Sequence, residues 1–99
     1  MISGTTSKAT IPLVVDVRSP GEYALGHVAG SINLPLDSLP QCAAAVLPER
    51  DTPLVLCCLS GARSGAAVQW LKAQGYRQVT NGGSIGSVAL QFGRPIQQS

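Results

Sequence analysis

Cysteine is the residue type in this chain whose placement points to covalent chemistry. There are three, Cys42, Cys57 and Cys58. An odd number with two adjacent is not a disulfide framework, and no Cys/His spacing suggests zinc. Cys58 opens the run Cys58-Leu59-Ser60-Gly61-Ala62-Arg63-Ser64, between an apolar stretch and a helix-forming one. A thiol there lies near the unpaired N–H groups of a helix N-terminus, where the helix dipole favours negative charge. Both effects favour the thiolate, which is the nucleophile. Gly61 lets the loop Leu59 to Ala62 fold tightly enough to aim its amides inward. Ser60 and Ala62 are small and are expected to leave an open pocket. Arg63 brings a fixed positive charge that can pair with an oxyanion. Such a cradle suits an anion held on sulfur, for instance a cysteine persulfide, with each amide contact contributing ~1.5–3 kcal/mol. It calls for neither a metal nor an organic cofactor.

The other two cysteines read as packing. Cys57 continues the apolar run before the loop, and neighbouring strand residues face opposite ways, so it is expected to point into the core. Cys42 lies in an Ala-rich helical segment.

The elements that must position Cys58 follow from pattern and punctuation. Residues 11–17 (Ile-Pro-Leu-Val-Val-Asp-Val) form a short β-branched run, as in a strand buried on both faces. Ser19, Pro20 and Glu22 then predict a helix start, with Ser19 as cap, Pro20 at the first position and Glu22 closing a capping box. Gly26 stops that helix and residues 27–30 are expected to turn the chain. A second strand over 31–34 is closed by Pro35. Asp37 or Ser38 is expected to cap a helix running through 42–46 and ending before Pro48. After a polar loop, 54–57 is the clearest buried strand. A helix over 64–74 turns Ala67, Val68, Leu71 and Trp70 inward and ends at Gly75, a left-handed cap. A last short strand over 78–80 precedes a turn at Asn81-Gly82-Gly83, and no period is visible from Phe92 onward. Strands alternating with helices predict βα units and a mainly parallel sheet, with the chemistry at the carboxyl ends of the strands.

Composition narrows the classes. Ninety-nine residues fit one core, read as a flexible tail over 1–10 and one domain over 11–99. Aromatic residues make up only 4%, so Ala, Val, Leu and Ile must fill that core. The net charge of +2 comes from scattered residues, which favours small anions over nucleic acid as partners. No stretch approaches the ~18 apolar residues of a membrane-spanning helix. The first residues lack a secretory pattern, so a cytoplasmic location is expected, or a periplasmic one if a signal has been removed. A monomer is the default for so small a chain.

Several segments together resemble the rhodanese homology family. Val15-Asp16-Val17-Arg18-Ser19-Pro20-Gly21-Glu22-Tyr23 is similar to its first signature, and 26–35 (Gly-His-Val-Ala-Gly-Ser-Ile-Asn-Leu-Pro) to the segment that follows. The loop from Cys58 to Ser64 resembles its active-site signature, and Asn81-Gly82-Gly83 its closing motif. The length is most similar to small single-domain bacterial members of the phage-shock type. The resemblance implies an α/β rhodanese-like fold, a small, mainly parallel central sheet flanked by helices. It also implies transfer of sulfur from a donor such as thiosulfate to cyanide, a thiol or a protein acceptor. By position Cys58 is the sulfur carrier, and Leu59, Ser60, Gly61, Ala62 and Arg63 are its cradle. Longer members carry an extra strand and helix ahead of the first signature, so the sheet is expected to be one strand smaller. Where the family often has a tryptophan after the closing motif, this chain has Ser84-Ile85-Gly86-Ser87-Val88, and that contact is missing or replaced.

Asp16 and Arg18 read as structural, a strand-end cap and ion pairs holding the turn. Asp16 is also a candidate for ordering the loop, and Arg18 a candidate partner for Glu22. The resemblance puts His27 in a structural turn. Two other functions remain open. A phosphatase or arsenate reductase uses five residues between Cys and Arg, which is the count from Cys57, whereas Cys58 gives four. A binding module would use the thiol as a sulfur relay to a protein partner.

Overall fold

The computed structural model describes residues 11–99, so the tail expected over 1–10 lies outside the described residues. Its frame is a four-stranded sheet in the order β3-β1-β4-β5, with every pairing parallel. The strands are β1 (Leu13–Asp16), β3 (Ile32–Asn33), β4 (Leu54–Cys58) and β5 (Val79–Ser84).

The two central strands explain why the sheet has two cores. Side chains alternate across a strand, and in β1 and β4 nearly all of them are apolar. Val15, Leu54, Leu56 and Cys58 join one buried cluster, while Val14, Val55 and Cys57 join the other. Helix α2 (Leu39–Val46) and helix α3 (Ala62–Ala73) cover the first face with Leu39, Ala43, Ala67, Val68 and Leu71. Helix α4 (Ile85–Phe92) covers the second with Ile85, Val88, Ala89 and Phe92. These four sit at helical spacing on one face, with Ser84 capping through a 3.0 Å bond from the Ser87 amide. In the segment after Gly83, where the family contact is expected to be missing or replaced, Val88 is fully buried.

Helix α1 (Pro20–Leu25) starts with the full capping box: Ser19 Oγ accepts from the Glu22 amide, and Glu22 accepts from the Ser19 amide. Gly75 has φ +94°, as its place after α3 requires. Elsewhere the structure departs from expectation. Ser38 stands at the N-cap of α2 but makes no side-chain bond, because residues Leu36–Ser38 form a 3₁₀ turn running straight into the helix. Its backbone is already helical there, so its hydroxyl is turned away from the orphan amides. Helix α3 begins at Ala62, not Ser64, which places Arg63 in its first turn.

Residues expected to turn the chain instead contain a strand, β2 (His27–Val28), paired antiparallel with β6 (Ile96–Gln97) from the other end of the chain. Likewise β5 runs on through Asn81-Gly82-Gly83. A bulge lies where Leu56 opposes Asn81 and Cys57 opposes Gly83, leaving Gly82 as the extra residue. A Cβ on Gly82 would lie 2.5 Å from Val88 Cγ2 and 2.7 Å from Val55 Cγ1. Only glycine lets α4 approach the sheet at this point. Among the described residues no helix is long and apolar enough to cross a membrane.

Candidate active site

Strand β4 ends at Cys58 and α3 begins four residues later, so Leu59, Ser60 and Gly61 must turn the chain from sheet to helix. Gly61 makes this turn at φ +97°, a left-handed conformation that costs other residues ~1–2 kcal/mol. Its amide then points back at the strand end and donates to Cys58 Sγ at 3.0 Å. The Ser64 hydroxyl, in the first turn of α3, lies 3.4 Å from the same sulfur.

Burial alone pushes the Cys58 thiol up. The Ser64 hydroxyl and the amides of Ser64, Gly61 and Ser60 oppose it and win, bringing the thiol down from 9.0 to about 7. A large part of it is therefore thiolate at neutral pH. Its neighbour goes the other way. Burial, helped by the Asp16 carboxylate, pushes Cys57 up to about 12. Cys57 lies on the opposite face of the sheet among Val14, Val28, Val55 and Val88. The five-residue count from Cys57 to Arg63 thus starts from a sulfur that faces away from the loop.

The pocket over Cys58 is not open as Ser60 and Ala62 suggested. Cys58 has no exposed surface, because its side chain points down into the core cluster of its own face. Leu59, by contrast, is 58% exposed at the tip of the loop. A cleft of about 270 Å³ runs beside the loop, lined by Val17, Ser19, Pro35, Leu36, Asp37 and Arg63.

Arg63 is not free either. Its guanidinium makes two bonds to the Glu22 carboxylate, at 2.7 and 3.0 Å. That fork holds the Glu22 carboxyl down at about 2, with help from the Ser19 amide. Glu22 is therefore the partner of Arg63, and the expected Arg18–Glu22 pair does not form. Arg18 folds back on Asp16 instead, through its backbone amide at 3.0 Å, Nε at 2.9 Å and Nη2 at 2.7 Å. Nη2 also reaches the Gly26 carbonyl at 2.6 Å. Asp16 is fully buried and Arg18 4% exposed, so this pair joins the end of β1 to the end of α1. Asp16 lies on the Cys57 side of the sheet, where it acts on that thiol, and its carboxylate bonds to Arg18 and not to the loop.

His27 is buried, stacked on Tyr23 with ring centroids 3.8 Å apart, and its Nδ1–H donates to the Tyr23 carbonyl at 2.8 Å. Cys42 is partly buried against the first core cluster. Asn81 carries a role the sequence did not suggest. It accepts from the Ser64 hydroxyl at 2.7 Å and the Gly83 amide at 2.9 Å, and donates to the Gly61 carbonyl at 2.9 Å. Read as part of a turn, it lies instead on β5 opposite Leu56, on the face that α3 covers. Ser64 gave one signal, its place directly after Arg63.

A thiol held by backbone amides at the carboxyl end of a central parallel strand defines a thiol-centred α/β protein. The chain belongs to the rhodanese family: the model of the Rhodanese-like domain matches residues 4–83. It is 34% identical over 76 residues to the thiosulfate sulfurtransferase PspE of Escherichia coli, covering 77% of this chain and 73% of that one. To the thiosulfate sulfurtransferase GlpE of Stutzerimonas stutzeri it is 39% identical over 67 residues, 68% of this chain and 60% of that one. Among solved structures, a rhodanese with anions from E. coli superposes with a TM-score of 0.80 at 30% identity, covering 90% of this chain and all of that one. The chain thus spans about three fifths to three quarters of the length of these curated relatives. Their names support a sulfurtransferase role.

Proposed function

We propose that this protein is a thiosulfate sulfurtransferase that carries sulfur as a persulfide on Cys58. The observation that carries this reading is the Gly61 amide 3.0 Å from a Cys58 sulfur whose titration is brought down to about 7. Such a sulfur is both a nucleophile at neutral pH and the centre of a site that stabilises negative charge.

The reaction has two displacements. The Cys58 thiolate attacks the outer sulfur of thiosulfate, the sulfur–sulfur bond of the donor breaks, and sulfite leaves with the electron pair. The resulting persulfide is an anion, with its charge on the outer sulfur. The amides of the Leu59 to Ala62 loop hold it, and Arg63 binds the sulfonate end of the donor with N–H groups that Glu22 leaves free. Cyanide, a small thiol or a thiol of a protein partner then attacks the outer sulfur and restores the thiolate. Because Cys58 has no exposed surface, the loop moves to admit the donor, and the adjoining cleft beside Arg63 is the approach. Asp16 and Arg18 serve this chemistry indirectly, by fixing the end of β1 beside β4.

Intact-protein mass spectrometry after thiosulfate treatment tests the reading. The wild type is expected to gain one sulfur atom that cyanide removes, and Cys58→Ser is expected to gain none. A sulfur gain that survives in Cys58→Ser refutes the assignment.

A further inference from the structure

The partners of Asn81 settle which end of its amide is which. A backbone N–H can only donate and a backbone carbonyl can only accept. The Gly83 amide therefore marks Oδ1 and the Gly61 carbonyl marks Nδ2. The Ser64 hydroxyl, 2.7 Å from Oδ1, must give its single proton to Asn81. What Ser64 then offers the Cys58 thiol across 3.4 Å is a lone pair, and the hydroxyl lowers the titration of that thiol only once its proton turns to the sulfur. A lone pair suits a thiol, whose S–H can donate to it. It does not suit a thiolate or a persulfide, which needs donors.

We propose that Asn81 is a positioning residue that competes with the sulfur of Cys58 for the one proton of Ser64. When the sulfur takes negative charge, the Ser64 hydroxyl turns from Asn81 to the sulfur, and when the charge leaves it turns back. Ser64 gives up no proton in this cycle; the proton that leaves is the one on Cys58. Asn81 Oδ1 keeps the Gly83 amide throughout, so its acceptor has a partner in both states. The Gly61 amide is the fixed donor, present in both states.

Few other groups act on this sulfur. Arg63 in the first turn of α3 faces it but is held by Glu22 of α1, and Cys57, with Asp16 and Arg18 beyond it, faces the opposite side of the sheet. Strand β5 (Val-Thr-Asn-Gly-Gly-Ser) brings no titratable side chain. Asn81 is thus the route by which β5 acts on the site. It also ties the loop down through Gly61, in a space where a Cβ on Gly65 would lie 3.3 Å from Nδ2.

The inference rests on Cys58 being the working thiol, and its test makes no use of sulfur transfer. Thiolate absorbance is titrated in a Cys42→Ser background, where Cys57 stays protonated through neutral and mildly alkaline pH. Four proteins are compared: the parent, Asn81→Ala, Ser64→Ala and the double variant. Loosening of the loop affects Asn81→Ala in either background. Loss of competition for the proton affects it only where Ser64 is present. The Cys58 midpoint is therefore expected to respond differently in the two backgrounds, lying lower with Ser64 present by ~0.5–1 pH unit, a ~3–10-fold gain in thiolate. Equal responses, or none, overturn the proposal. Asn81→Asp strengthens the acceptor and loses the bond to the Gly61 carbonyl in either background, so its coupling to Ser64 alone is expected to have the opposite sign. Should Cys58 take up no sulfur from thiosulfate, the persulfide reading fails while this titration still decides the role of Asn81.

Discussion

Glu22 and Arg63, 41 positions apart in the chain, meet in a two-bond fork that joins the capping box of α1 to the first turn of α3. One carboxylate thus closes a helix cap and orients a cation that acts on the candidate nucleophile. With the Glu22 carboxyl held at about 2, the fork persists across the whole neutral range.

The fork also offsets the charge that a donor anion would seek. Glu22→Gln keeps a capping acceptor but removes the negative charge, so the KM for thiosulfate is expected to fall several-fold. Arg63→Ala removes charge-assisted bonds to the donor and is expected to lower kcat/KM by ~10–100-fold. Steady-state thiocyanate production checks both, and an unchanged KM in both variants would exclude Arg63 from donor binding.

The depressed Cys58 titration predicts two pH effects. Sulfur uptake is expected to rise through a pH of about 7 and level off above it, as the thiolate fills. Stability follows the same group. Between about 7 and 9.0 the folded chain carries the thiolate while the unfolded chain still holds the proton, so stability rises with pH. The contribution is complete above the unfolded value and is lost as pH falls through about 7. Denaturant melts of wild type against Cys58→Ser over that range should show the difference closing toward acid.

The two adjacent cysteines are expected to separate cleanly on substitution. Cys57→Ser places a hydroxyl among Val14, Val28, Val55 and Val88, so it should lose ~1–3 kcal/mol of stability while still loading sulfur. Mass spectrometry and chemical unfolding on one preparation give both readings. Loss of loading in a folded Cys57→Ser protein would mean that the neighbouring thiol takes part.

Two glycines should fail in different ways. Gly82→Ala drives a Cβ into Val88 and Val55 and is expected to cost ~1–3 kcal/mol of overpacking. Gly61→Ala strains the φ +97° turn that aims the amide at the sulfur, so its larger effect should fall on activity. A thermal melt and a rate measured side by side distinguish the two.

Breaking the Asp16–Arg18 pair leaves a buried charge without its partner. Asp16→Asn is expected to destabilise the fold by ~3–5 kcal/mol, and replacing both residues by apolar ones of similar size should cost less. Urea unfolding of the single and double variants measures this, and a double variant as damaged as the single would contradict it.

Much of this protein follows from local sequence. The apolar runs of β1 and β4, the Ser19–Glu22 capping box, Gly75 after α3 and the Cys58 loop each depend on neighbours within a few positions, where propensity and capping act. The opposite facing of Cys57 and Cys58 also needed only the two-residue period of a strand. The tertiary structure decided what depends on residues remote in the chain. Glu22 chose Arg63 over Arg18 because folding brings α3 to α1 and leaves Asp16 to hold Arg18. His27 and Val28 became a strand because Ile96 and Gln97 return to pair with them, and two residues show no period. Asn81 joined the site because β5 runs on past the expected turn and pairs it with Leu56, beside Ser64. The sulfur lost its open pocket for the same reason. How much of a side chain is covered is settled by everything packed around it, and no run of seven residues contains that.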